Sequence, residues 1–136
     1  MGISVQNVID KSKIVHIICS ICTDVIEDAI MLKTCDHMFC RVCITEWMHW
    51  IATGDTRCPE CRQCFLTSDF GKPNRIILNL IADVKFECAN EGCREIISHG
   101  DYSLHSMQCT KAEIQCDFCN ILMERWQIEG HKARFF

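Results

Sequence analysis

At 136 residues the chain is long enough for one ordinary domain or for two or three very small ones. Its thirteen cysteines approach the ~8–10% level of a stapled scaffold, and its formal charge of −4 gives no basic face for general nucleic-acid binding. No apolar run approaches the ~20 residues that cross a bilayer. Met1–Lys13 lacks the apolar core and cleavage pattern of a secretory signal, so an intracellular setting, cytoplasmic or nuclear, is expected.

In a reducing compartment, Cys-x2-Cys pairs mixed with histidine point to zinc rather than to disulfides, and an odd cysteine count agrees. Zinc binds thiolate, so a site of four cysteines carries a formal −2 and one of three cysteines and a histidine −1. One site of the first kind and two of the second bring the loaded chain to about −8. Nucleic acid is therefore an unexpected partner, although Lys111, Lys132 and Arg134 lie in or beside the last cysteine-rich unit. Met1-Gly2 invites an N-myristoylation reading, but Gln6 stands where that motif wants Ser or Thr.

In chain order, residues 1–18 form a leader in which Val5, Val8 and Ile9 have helical spacing, expected as a frayed turn capping the next domain. Residues 19–66 hold the ligand block Cys19-x2-Cys22-x12-Cys35-x-His37-x2-Cys40-x2-Cys43-x14-Cys58-x2-Cys61. Within it, 23–34 and 55–57 read as loops, with strand character at 29–32. Ile44, Trp47, Met48 and Ile51 recur at i, i+3, i+4, i+7 and predict an amphipathic helix that Gly54 stops. Met48 and Trp50 read as packing residues. Ser68, Gly71 and Pro73 mark a turn in the linker, residues 67–87. There Asn74 caps a helix whose stripe of Ile76, Ile77, Leu80, Ile81 and Val84 reads as packing.

Residues 88–136 contain a weak repeat. Cys88-x4-Cys93-x11-His105-x3-Cys109 is one copy, over 88–110; Cys116-x2-Cys119-x11-His131 begins another, over 111–136. His99 competes with His105, but the common spacing favours His105. Phe135 stands where the first copy has its last cysteine. A fourth ligand beyond the end, a water or partner completing the ion, or an empty finger would each account for this, and truncation is the expectation. Cys64 is left without a ligand role.

Two thiolates separated by two residues can share one tetrahedral ion, because a tight turn brings both sulfurs to one side. The first block therefore implies two ions, and spacing alone does not say whether its pairs combine in sequence or interleave. The order of ligands, with histidine fourth, resembles a RING finger of the C3HC4 type. That resemblance implies a cross-brace: Cys19, Cys22, Cys40 and Cys43 on one zinc, and Cys35, His37, Cys58 and Cys61 on the other. The downstream copies look like TRAF-type zinc fingers, with Cys88, Cys93, His105 and Cys109 on a third zinc and Cys116, Cys119 and His131 on a fourth. The fold expected is a small zinc-stabilised α+β chain: cross-braced RING finger, helical linker, tandem TRAF-type fingers.

Sites with four protein ligands are structural, because no position stays open for water or substrate. No nucleophile is evident, so activity must come from binding. RING domains are mostly ubiquitin ligases, and the resemblance implies as partners a ubiquitin-conjugating enzyme, ubiquitin and a protein substrate that the sequence does not specify. It also leaves room for a homo-oligomer. Four family contact positions carry over: Ile21 inside the first pair, Trp47 on the helix, Pro59 inside the last pair, and Arg62, matching the cationic linchpin whose fork of donors suits two partners. Ile21 and Trp47 would also suit a core, Pro59 a turn, and Arg62 an exposed charge. The order of domains resembles the ligases related to neuregulin receptor degradation protein and, more distantly, the TRAF signalling ligases. The competing reading is a non-enzymatic zinc-binding adaptor in signalling.

Overall fold

A computed structural model describes residues 2–51 and 54–134. The chain divides after Val84 into two compact units.

The first unit is built on a three-stranded antiparallel sheet in the order β2-β1-β3, from β1 (Ala29–Leu32), β2 (Met38–Cys40) and β3 (Phe70–Gly71). The pleat turns Ile30 and Leu32 of β1 inward, and Ile30 pairs with the buried Phe39. Helix α1 (Arg41–Trp50) follows β2 directly, with Cys40 as its N-cap residue. Ile26, Ile30, Leu32, Phe39, Ile44 and Phe65 form the core together with Cys19, Cys40, Cys43 and Cys58. So small a core does not stand alone, and the sulfurs that line it bind this half of the chain to its metal chemistry.

The leader departs from the frayed turn expected of it. Ile3 and Val25 exchange two backbone hydrogen bonds of 3.0 Å each, an isolated bridge that pins the start of the chain to the first metal loop. Two 3-10 turns follow, Val5–Asn7 and Lys11–Ile14, capped by the Ser4 hydroxyl and the Asp10 carboxylate. Ile3, Val8, Ile14 and Ile17 are buried, while Ile9 is exposed. The apolar spacing suggested a helix, but these residues reach the core through a bridge and tight turns instead. Gly2 fits because it has no side chain: a Cβ there would lie 2.2 Å from the Val25 carbonyl oxygen.

Helix α1 starts three residues before the predicted apolar stripe and leaves helical geometry at Ile51. Gly54 lies in the loop beyond, at φ +75°. Met48 packs on the core as expected, but Trp50 is 86% exposed and packs on nothing there. Helix α2 (Arg75–Ala82) is capped as expected, the Asn74 side chain accepting from the Ile77 N–H at 3.0 Å. Its stripe splits, however. Ile81 and Val84 are buried, but Ile76 is 72% and Leu80 57% exposed. With α2 only eight residues long, one side covers Ile81 and the other stays in solvent.

The second unit repeats one ββα pattern. The hairpin β4 (Lys85–Glu87) and β5 (Ile96–Ser98) leads to α3 (Tyr102–Gln108). The hairpin β6 (Glu113–Gln115) and β7 (Leu122–Glu124) leads to α4 (Ile128–Lys132). The repeat read from the cysteine spacing is thus a repeat of structure. Phe86 is fully buried, with Tyr102 edge-on at 5.4 Å between centroids. The two copies are tied where they meet: the backbone N–H groups of Arg125 and Trp126 donate to the carbonyls of Ala112 and Thr110, and the Arg125 guanidinium donates to the Met107 carbonyl.

Candidate metal centres

All thirteen cysteines are free thiols. Twelve of them, with three histidines, gather into four groups whose ligand atoms all lie within 4.8 Å of one another. The groups are Cys19, Cys22, Cys40, Cys43; Cys35, His37, Cys58, Cys61; Cys88, Cys93, His105, Cys109; and Cys116, Cys119, His131. The pairs of the first block therefore interleave, the arrangement that the resemblance implied and that spacing left open. Cys64 stands outside all four groups, its thiol donating to Asp55 Oδ1 at 3.2 Å. His99 also stands outside and packs against the Phe86 ring. Phe135, the position matching the last cysteine of the first finger, lies outside the described residues.

Three Cys-x2-Cys loops share one construction. In each, the N–H of the residue after the second cysteine donates back to the carbonyl of the first: Thr23 to Cys19 at 2.7 Å, Arg62 to Cys58 at 2.9 Å, Asn120 to Cys116 at 2.8 Å. The first cysteine in turn donates its N–H to a carbonyl further on, that of Asp24, Gln63 or Ile121. Closing so tight a loop forces the residue after the second cysteine into the left-handed region, with φ of 64° at Thr23, 62° at Arg62 and 58° at Asn120. Cys40 and Cys43 use another device: a strand end and the first turn of α1 bring their sulfurs together.

The donor sets fit zinc. Sulfurs on a tetrahedral zinc at ~2.3 Å stand about 3.8 Å apart. Cys22 and Cys40 Sγ are 3.9 Å apart, and Cys88 and Cys109 Sγ 3.8 Å. The histidines face their groups with different nitrogens: His37 Nδ1 lies 3.5 Å from Cys58 Sγ, whereas His105 Nε2 lies 3.7 Å from Cys93 Sγ and His131 Nε2 3.2 Å from Cys119 Sγ. For two of them the outward nitrogen meets a carboxylate. His37 Nε2 stands 3.2 Å from Glu60 and His105 Nδ1 3.0 Å from Glu95. Such outer partners fix the ring's tautomer and orientation toward a metal. Backbone N–H groups of Gly2 and Glu27 point at the sulfurs of Cys22 and Cys40, each at 3.4 Å.

The thiols also compete with one another for charge. A hydrogen bond from Cys40 holds the Cys19 thiol down to about 4, against the cost of burial. Cys40 is driven up by that same bond and by burial. Burial pushes Cys43 and Cys58 up to about 11. In the first group one thiolate thus forms at its neighbours' expense, and a divalent cation held by Cys19, Cys22, Cys40 and Cys43 would make thiolates of all four at once.

The positions matched to RING contacts lie in the same unit. Ile21 and Trp47 are partly buried against the core, Pro59 is half-buried, and Arg62 is exposed. Trp47 Nε1 donates to the Arg57 carbonyl at 2.8 Å. Arg57 in turn reaches the Arg62 carbonyl with Nη1 at 3.5 Å. Sequence reasoning missed Gly2, Arg57, Glu60 and Glu95. Only Glu60 carried a signal, a carboxylate inside Cys58-Pro-Glu-Cys61.

A zinc-braced α+β unit with interleaved C3HC4 ligands is a RING finger, and residues 19–61 match the family model for the zinc finger of C3HC4 type (RING finger). Most of the chain is similar to E3 ubiquitin-protein ligase NRDP1 of Xenopus laevis, at 27% identity over 123 residues covering 86% of this chain and 38% of that protein. The Homo sapiens NRDP1 is 26% identical over the same shares, and TNF receptor-associated factor 6-B of Xenopus laevis is 24% identical over 83% of this chain and 19% of its own length. The chain thus carries a RING finger followed by two further Cys/His groups, as its similarity to NRDP1 and TNF receptor-associated factor 6-B supports, and spans about two-fifths of the NRDP1 relatives it matches. Among the described residues no helix is long and apolar enough to cross a membrane.

Proposed function

We propose that the chain is a RING-type E3 ubiquitin-protein ligase that docks a ubiquitin-charged conjugating enzyme and promotes transfer to a substrate lysine. The observation that carries this reading is the tie between Trp47 and the second metal loop of the RING block: the indole N–H on α1 bonds the Arg57 carbonyl just before Cys58-Pro59-Glu60-Cys61-Arg62. Two contact positions on separate elements are thereby held in a fixed relation. The names of the NRDP1 relatives agree with it.

Bound zinc supplies the cross-links that shape the loops. Ile21, Trp47 and Pro59 offer an apolar seat for the conjugating enzyme, with the aromatic residue the expected energetic anchor. The Arg62 guanidinium offers planar donors to the enzyme and to ubiquitin together. Holding the thioester in one reactive pose lowers its barrier by restricting orientation. The lysine amine then attacks the thioester carbonyl, the C–S bond breaks, and the conjugating enzyme leaves as thiolate while the amine's proton passes to solvent or to the enzyme. No group on this chain becomes covalently attached.

The test is discharge of ubiquitin from charged conjugating enzymes to lysine by the zinc-loaded 136-residue chain. Discharge that Trp47→Ala abolishes and Arg62→Asn strongly slows, both variants keeping their zinc, is the expected result. A wild-type chain inert toward a broad panel of conjugating enzymes overturns the reading.

A further inference from the structure

We infer that Arg57 is a positioning residue for the ligase step, holding the loop that presents Arg62; this rests on the function proposed above. Arg57 is not a zinc ligand and matches none of the RING contact positions, yet it meets both halves of the proposed docking seat. Its carbonyl accepts the Trp47 indole N–H at 2.8 Å. Its guanidinium extends to the Arg62 carbonyl at 3.5 Å.

The guanidinium is itself anchored. Asp55 Oδ2 accepts from Arg57 Nε at 3.1 Å and from Nη2 at 2.8 Å. Asp55 Oδ1 accepts from the Cys64 thiol at 3.2 Å, and Arg57 and Cys64 form a backbone bridge. The Cys58–Cys61 loop is thus enclosed by a short ladder with Asp55 across its open end. An exposed ion pair of this kind adds little to stability. Its geometry, however, leaves Nη1 directed at the one backbone carbonyl of the left-handed residue Arg62. A contact of 3.5 Å tightens easily, so a docked partner that draws Arg62 into place finds its backbone already supported. Arg57 therefore acts on the orientation of Arg62, not on the affinity of the seat.

The experiment compares ubiquitin discharge by the full wild-type chain, Arg57→Ala, Asp55→Asn, Arg62→Asn and the Arg57→Ala/Arg62→Asn double variant, varying the charged conjugating enzyme. Arg57→Ala is expected to lower kcat roughly tenfold with KM within about twofold, well inside the ~100-fold that a ~1 Å misplacement can cost. Asp55→Asn, nearly isosteric and leaving Arg57 present, is expected to share the kcat defect. The double variant is expected to be no slower than Arg62→Asn alone, since Arg57 acts through it. Zinc content and thermal unfolding are recorded for every variant, and Asp55→Asn decides the matter if Arg57→Ala is lost to misfolding. Full activity in Arg57→Ala and Asp55→Asn, a change in KM alone, or additive losses in the double variant overturns the inference while leaving the ligase reading intact. An inert wild type overturns both.

Discussion

Glu60 lies inside the Cys58–Cys61 loop and meets the outward nitrogen of His37 at 3.2 Å, while the inward nitrogen faces the Cys58 sulfur. The first finger repeats the relation with reversed nitrogens, Glu95 meeting His105 Nδ1. Two unrelated loops have arrived at one solution for aiming an imidazole.

Glu60→Gln is therefore expected to weaken zinc binding at the Cys35/His37/Cys58/Cys61 site by about 10- to 100-fold, and Glu95→Gln to do so only at the Cys88/Cys93/His105/Cys109 site. Competition with a chromophoric chelator measures both. Unchanged affinities would reduce the carboxylates to surface charges.

Interleaving makes the first two sites one folding event. Cys19→Ser and Cys35→Ser lie in different groups, yet each is expected to cost two zinc ions by native mass spectrometry, whereas Cys88→Ser costs one. Structural zinc contributes about 10–16 kcal/mol in small metal-dependent folds, so removal by a strong chelator is expected to abolish the near-ultraviolet circular dichroism of Trp47.

Gly2→Ala places a Cβ 2.2 Å from the Val25 carbonyl oxygen, which is backbone and has little freedom to move. The Ile3–Val25 bridge and the Gly2 N–H to Cys22 sulfur contact are then lost or displaced. A destabilisation of about 1–3 kcal/mol, typical of overpacking, is expected in thermal unfolding of the zinc-loaded chain. No loss would mean that the leader detaches freely.

Trp47→Phe keeps most of the ring but removes the donor to the Arg57 carbonyl. About 0.5–1.5 kcal/mol of stability is expected to go with that hydrogen bond. If docking needs the indole held in place, discharge falls by more than the stability change accounts for. Parallel losses in the two measurements would assign the bond to folding alone.

The metal ligands were legible in the sequence because coordination is a matter of residue type and loop length, and both are written in the chain. The strand at 29–32 and the cap at Asn74 were legible for the same local reason. The pairing of Cys-x2-Cys groups was not, since a tetrahedral ion accepts any two pairs that the backbone brings near it. Trp50 and the stripe on α2 were misread because helical periodicity marks a face without saying whether anything covers it. The leader was misread in the opposite sense: Ile3, Val8, Ile14 and Ile17 are buried without regular spacing, through a bridge and 3-10 turns that leave no periodic trace. Arg57 and Glu95 were invisible because their partners lie in space rather than at a characteristic offset.

The left-handed residues after the cysteine pairs bear on how the surface can be interrogated. Arg62 is exposed, and an alanine scan would treat it as a free choice of side chain. Its φ of 62° says otherwise, because a residue with a Cβ in that region, arginine and alanine alike, carries a backbone cost of about 1 kcal/mol or more that asparagine and glycine largely escape. Thr23, in the same conformation, sets against that cost a hydroxyl bond to the Cys22 carbonyl at 2.6 Å. Arginine at position 62 already bears that cost through its own Cβ, so alanine there removes the guanidinium and leaves the strain of the loop as it was. Asparagine removes the guanidinium and relieves the strain together, so the two variants side by side separate chemistry from conformation, and the tolerance of this surface to variation is governed as much by dihedral angles as by what its side chains touch.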